Sequence, residues 1–98
     1  MSAAPNPDGA IVRVMKIVNE KGLHARASAK FVQLVEKYDA KVTVSRAGES
    51  AGGDSIMGLM MLAAGIGTSI EVAATGAQAA EVVDALDALV SGRFGEDE

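Results

Sequence analysis

The stretch of this chain with a distinctive chemical grammar is Gly22-Leu23-His24-Ala25-Arg26-Ala27-Ser28. It holds the only histidine of the sequence, set where a strand pattern gives way to a helix pattern. The first N–H groups of a helix have no intrahelical partners, and the helix dipole adds partial positive charge at that end. A helix start is therefore an anion site, with phosphate as a natural guest. An unperturbed imidazole, with a pKa of about 6.5, offers a neutral nucleophilic ring near pH 7. A phosphoryl group on a ring nitrogen stays transferable, because that nitrogen is a good leaving atom. Arg26 can reach a dianion through charge-assisted hydrogen bonds and neutralise equatorial oxygens during in-line transfer. Gly22 permits close backbone approach, and Leu23 would anchor the junction so that His24 projects outward. Against this stands a bland alternative of comparable weight, in which a lone histidine beside a helix start is only a cap.

Composition narrows the function classes. The chain has 98 residues, which argues for one domain with a core of its own. The net charge of −4 disfavours a nucleic-acid backbone as partner, and Phe31, Tyr38 and Phe94 are too few for base stacking. No cysteine is present, so disulfides and thiolate chemistry are excluded. With one histidine, a zinc site would have to be built mainly from carboxylates, and no metal or other cofactor is expected. Residues 1–10 lack a basic segment followed by an apolar one, so they do not read as a signal peptide. The longest apolar run, residues 56–66, is too short to span a bilayer and contains Gly58 and Gly65. A cytoplasmic monomer is the expectation.

Around the histidine the periodicity changes in a regular way. Residues 1–10 read as a flexible tail, residues 11–91 as the domain, and residues 92–98 as an acidic C-terminal tail after the helix stop at Ser91-Gly92. Residues 11–18 are β-branched and read as a strand, and residues 19–22 as a turn. Phe31, Leu34, Val35 and Tyr38 follow helical spacing, predicting a helix over residues 25–38. Val42 and Val44 alternate with Thr43 and Ser45 in a strand over 41–46, followed by a turn at Gly48 and a weak strand over 49–51. Residues 56–64 favour helix through their Met and Leu content. In residues 68–74, Ile70, Val72 and Ala74 alternate with Ser69, Glu71 and Ala73. Residues 77–90 form an amphipathic helix with Ala79, Val82, Val83, Leu86, Leu89 and Val90 on its buried stripe. The order β-α-β-β-α-β-α predicts an α+β domain, with three helices on one face of a four-stranded, mostly antiparallel sheet.

At this point the sequence resembles HPr, the histidine phosphocarrier family of the bacterial phosphoenolpyruvate-dependent phosphotransferase system. Two motifs carry the resemblance, in the family's order and separation: Gly22-Leu23-His24-Ala25-Arg26, and Asp54-Ser55-Ile56-Met57-Gly58-Leu59-Met60-Met61-Leu62. The resemblance implies an open-faced β-sandwich. It implies a carrier rather than a turnover enzyme, phosphorylated on His24 Nδ1 by phosphorylated enzyme I and donating to an enzyme IIA-type protein. Arg26 would contact the phosphoryl group, which the backbone amides of Ala25 and Arg26 would help to cap. Ile56, Met57, Gly58 and Met60 would dock partner proteins. Ser55 corresponds to the serine that a kinase modifies in some bacteria, so a serine kinase/phosphorylase joins the implied partners.

The sequence also departs from the family. Ala27 stands where proline is frequent, which would loosen the helix start. Asp54 stands where several regulated members carry a base, so its charge would disfavour phosphorylation of Ser55. The Ala51-Gly52-Gly53 stretch, the Met60-Met61 pair and the Thr75-Gly76 turn point toward the nitrogen-related branch of the system. From the residues alone, Ser55 is first an N-cap, and residues 56–61, apolar all round, must expose part of their surface. Two other readings compete: a regulatory interaction module acting through Ser55 and the second helix, and a small-ligand-binding domain, which only the element order suggests.

Overall fold

The alternation of residues 69–75 makes them suited to the middle of a sheet, and that is where they lie. The computed structural model describes residues 4–5 and 9–96. Its elements are strand β1 (Ala4–Pro5), strand β2 (Ile11–Lys16), helix α1 (Ala25–Val35), strand β3 (Lys41–Arg46), strand β4 (Glu49–Gly52), helix α2 (Ile56–Met61), strand β5 (Ser69–Thr75), helix α3 (Ala79–Ser91) and a single 3-10 turn (Arg93–Gly95). The sheet order is β1-β2-β5-β3-β4, and every neighbouring pair is antiparallel.

Register follows the apolar pattern. Met15 pairs with Ile70 and Val44 with Val72, and all four side chains are buried. Between them, Val14 pairs with Glu71, and both are exposed. One sheet face is therefore wet, as half-buried antiparallel strands require. α3 packs over β2 and β5, and α1 packs against both α2 and α3. The core holds Phe31 and Val35 of α1, Leu59 of α2, and Val82, Val83, Leu86 and Val90 of α3. Across the layers, Arg13 of β2 reaches Asp84 and Asp87 of α3 at 2.9 and 3.2 Å. This is the open-faced sandwich expected from the sequence.

Element ends differ from the periodicity where backbone conformation intervenes. α1 stops at Val35, and the chain closes in tight turns, with Lys37 N–H donating to the Leu34 carbonyl and Tyr38 N–H to that of Val35. α2 stops at Met61 because Ala63 takes a left-handed φ of 53°, which ends a right-handed helix. The β3–β4 turn uses left-handed backbone at both Ala47 and Gly48, the mirror-image geometry that suits a two-residue hairpin.

Both termini depart from the expected tails. Within residues 1–10, Ala4–Pro5 pairs with β2, Pro5 opposite Ile11, and Ala10 is buried. The outer edge of β2 offers unpaired backbone groups that a short strand satisfies. Residues 1–3 and 6–8 lie outside the described residues. At the other end the helix does stop at Ser91, but the chain then makes a left-handed turn through Arg93, Phe94 and Gly95, with φ of 60°, 55° and 71°. The driving force is Phe94, which is completely buried in the core. Of the expected acidic tail, Asp97 and Glu98 lie outside the described residues.

Phe94→Ala tests this return of the chain. Removing a buried Phe costs about 3–5 kcal/mol, whereas a residue in a solvated tail would cost below about 0.5 kcal/mol. We expect the larger loss, measured by urea denaturation.

Candidate functional site

The loop before α1 is fixed by packing and backbone bonds before any functional group is placed. Gly22 has a φ of +62°, and a Cβ there would stand 2.3 Å from the Ala64 carbonyl oxygen. Only glycine allows that approach. Leu23 is buried, and its N–H donates to the same carbonyl at 2.9 Å. Asn19, also buried, donates from Nδ2 to the Gly22 carbonyl at 2.9 Å. Ser28 donates from Oγ to the Leu23 carbonyl at 3.1 Å. Proline is absent at Ala27, yet the helix start is held by these bonds and by complete burial of Ala27.

This frame makes His24 the N-cap of α1. Its backbone is extended, its carbonyl accepts the first helical bond from Ser28 at 2.9 Å, and its side chain caps no N–H of the helix. The amides of the first turn, those of Ala25 and Arg26 among them, thus keep their outward-facing donors. Ala25 and Arg26 are exposed. A cavity of about 660 Å³ opens here, lined by Glu20, Lys21, His24, Ala25, Arg26, Lys30, Gly95 and Glu96. Lys21, Arg26 and Lys30 bring three cationic side chains to it. Among the described residues, no cluster of metal-ligating side chains occurs, and no helix is long and apolar enough to cross a membrane.

The sequence reading missed the partners of the imidazole. His24 Nε2 meets the carboxylate of Glu96 at Oε2. The other carboxylate oxygen accepts from Asn19 Nδ2 at 3.0 Å. Lys30, one turn beyond Arg26, donates to the Phe94 carbonyl at 2.6 Å. The His24 hydrogen bond holds the Glu96 carboxyl below its usual range; partial burial opposes this, while the Asn19 amide and the His24 and Lys21 charges reinforce it. In one dimension Glu96 is only part of an acidic run, and 72 residues separate it from His24.

Ser55 lies elsewhere, as the N-cap of α2, where its Oγ accepts from the Gly58 N–H at 3.0 Å. Next to it is an apolar surface. Ile56, Met57 and Met60 are exposed and Gly58 partly so, and Met61 and Ile66, not among the docking residues that the resemblance implies, are exposed as well.

Residues 11–92 match the family model for the PTS HPr component phosphorylation site. The chain belongs to the HPr family. An HPr phosphocarrier from Cupriavidus necator is 50% identical over 82 residues, covering 84% of this chain and 92% of that protein. One from Neisseria meningitidis is 49% identical over 84 residues, covering 86% and 94%. A phosphocarrier named NPr, from Shewanella violacea, is 38% identical over 84 residues, covering 86% and 92%. Among solved structures, HPr-C-His from Thermoanaerobacter tengcongensis superposes with a TM-score of 0.84 at 33% identity, covering 89% of this chain and 98% of that one. As an HPr-family member the chain is a phosphocarrier of the phosphotransferase system and not a turnover enzyme.

Two measurements follow from the geometry. Because the folded-state pKa of Glu96 is lowered from 4.5, its contribution to stability is present above that value and is lost as pH falls through the folded-state pKa. The difference in Tm between the native chain and Glu96→Gln should therefore be full just above pH 4.5 and shrink on further acidification; a difference that grows toward acid contradicts the contact. Ser55→Ala should cost about 1 kcal/mol in denaturant unfolding, the typical loss of an N-cap.

Proposed function

We propose that His24 accepts a phosphoryl group on Nδ1 from phosphorylated enzyme I and passes it to an enzyme IIA-type protein. The observation that carries this reading is the place of the imidazole, at the N-cap of an 11-residue helix that its side chain does not cap. In the transfer, the Nδ1 lone pair attacks phosphorus in line. The bond from phosphorus to the leaving atom of enzyme I breaks, and its electron pair stays with that atom. Donation runs the same step in reverse toward the acceptor.

Charge spreads over the three equatorial oxygens during such a transfer. Arg26 answers it with a guanidinium that makes bidentate, charge-assisted hydrogen bonds. The amides of Ala25 and Arg26 add fixed donors that need no reorganisation. Lys21 and Lys30 line the same cavity and raise its local potential. Partners dock on Ile56, Met57, Gly58 and Met60, extended by Met61 and Ile66. Side chains such as Met adapt to differently shaped partners, and a small apolar patch suits brief complexes. A monomer in the cytoplasm serves this exchange. Ser55 keeps its hydroxyl engaged as the α2 cap, and Asp54 beside it is exposed, so regulation at Ser55 is no part of this proposal.

Incubation with enzyme I and phosphoenolpyruvate, followed by mass spectrometry, tests the reading. We expect one acid-labile phosphoryl group on the native chain and none on His24→Ala. Arg26→Ala should slow acceptance by about 10- to 100-fold, the worth of a hydrogen bond to a charged group. No adduct on the native chain, or an adduct that survives His24→Ala, refutes it.

A further inference from the structure

Glu96 lies beyond the span of the family match, which ends at residue 92, yet its carboxylate faces the ring that the carrier reading makes the nucleophile. A neutral imidazole has one proton and two nitrogens, and only the nitrogen without the proton has a lone pair to attack with. An ionised carboxylate can only accept. The nitrogen facing it must therefore donate. In this molecule that nitrogen is His24 Nε2, so the proton sits on Nε2 and the lone pair on Nδ1.

The carboxylate is itself held in place. Its second oxygen accepts from Asn19 Nδ2 at 3.0 Å, and the same amide nitrogen donates to the Gly22 carbonyl at 2.9 Å. Both hydrogens of a buried side chain are thus spent on joining Glu96 to the site loop. Two residues upstream, Phe94 is completely buried and its carbonyl accepts from Lys30 Nζ at 2.6 Å. Glu96 keeps only 12% of its side-chain surface exposed.

We infer that Glu96 is a positioning residue for phosphoryl transfer: through Nε2 it holds His24 in the tautomer whose Nδ1 is the nucleophile, and it balances the charge that the ring gains as phosphorus binds. The inference rests on the carrier reading above. When the Nδ1 lone pair forms the N–P bond, the bond to the donor breaks and its electron pair stays with the donor. The ring keeps its proton on Nε2 and becomes an imidazolium. Glu96 then faces that cation at Nε2, across the ring from the new N–P bond, and lines the cavity together with Arg26, Lys21 and Lys30. On donation the charge disappears again, and the ring returns in the same tautomer.

The test uses the full chain labelled with nitrogen-15 histidine. Ring nitrogen shifts give the ratio of the Nε2–H to the Nδ1–H form at a pH where the ring is neutral. Glu96→Gln serves either tautomer, since an amide both donates and accepts. Because Asp97 and Glu98 follow in sequence, a second variant, E96Q/D97N/E98Q, removes every carboxylate of the run. We expect the Nε2–H to Nδ1–H ratio to fall at least about fivefold in both variants, as the acceptor-only partner is lost. The maximal rate of acceptance from phosphorylated enzyme I should fall about tenfold, the scale of one charge-assisted hydrogen bond, with KM for the carrier unchanged. An unaltered ratio and rate in the triple variant overturn the inference while the native chain still accepts phosphate. A faster variant also overturns it, making the contact a block instead. A native chain that takes no phosphoryl group refutes the carrier reading itself, and this role with it.

Discussion

The N-terminus of α1 is left without a side-chain cap, and the site is organised around that choice. A Ser, Thr, Asp or Asn at this position would contribute about 1 kcal/mol to stability. The chain uses such a cap at α2, where Ser55 binds the Gly58 amide. At α1 the N-cap is His24, whose ring bonds no helix N–H. The first-turn donors thereby have no side-chain cap, which is what the carrier reading requires of them. The missing cap is offset elsewhere, by Ser28 and Asn19 bonding the carbonyls of Leu23 and Gly22 and by the burial of Leu23 and Ala27.

The same constraint couples the site to the surface on which partners would dock. The Ala64 carbonyl, three residues past the end of α2, receives the Leu23 N–H and leaves no room for a Cβ on Gly22. Arg46 of β3 donates to the Leu62 carbonyl from the other side. The end of α2, the loop before α1 and the end of β3 therefore form one rigid corner. The acidic balance of the whole chain does not contradict an anion site there. Exposed charges are screened beyond about 8 Å at physiological salt, so the local charges decide, and there Lys21, Arg26 and Lys30 outnumber the carboxylates of Glu20 and Glu96.

What the sequence makes legible is what repeats or what forms a compact motif. The alternations of Val42 with Val44 and of Ile70 with Val72 gave β3 and β5, because a half-buried strand writes its burial at period two. The helical stripe of α3 was legible for the same reason at its own period. His24 and Arg26 stood out because their roles sit within three residues of each other. Ala47 and Ala63 take left-handed backbone, and nothing about an alanine announces it. Ala4–Pro5 is too short to show a period. Phe94 and Glu96 were read as tail because an aromatic between two glycines, followed by acids, has the composition of a solvated end. Their partners, Lys30, Asn19 and His24, are supplied only by the fold.

The return of the chain after α3 shows how closely such a contact is balanced. Arg93 and Phe94 both adopt left-handed backbone, at a cost of about 1–2 kcal/mol each for residues with a Cβ. Burying Phe94 returns about 1.5–3 kcal/mol, and the charged hydrogen bond from Lys30 to its carbonyl returns about 1.5–3 kcal/mol. These terms are of similar size, so the bonds that Asn19 and His24 make to Glu96 help decide how firmly the segment is held. Local opening free energies follow such balances, and elements with few buried contacts open more readily than core strands. Residues 93–96 have one buried anchor, Phe94, where the sheet has many. The carboxylate at His24 Nε2 is thus presented by a short segment that hydrogen bonds tie to the site loop, while the amides of the first turn sit on a helix packed against two others.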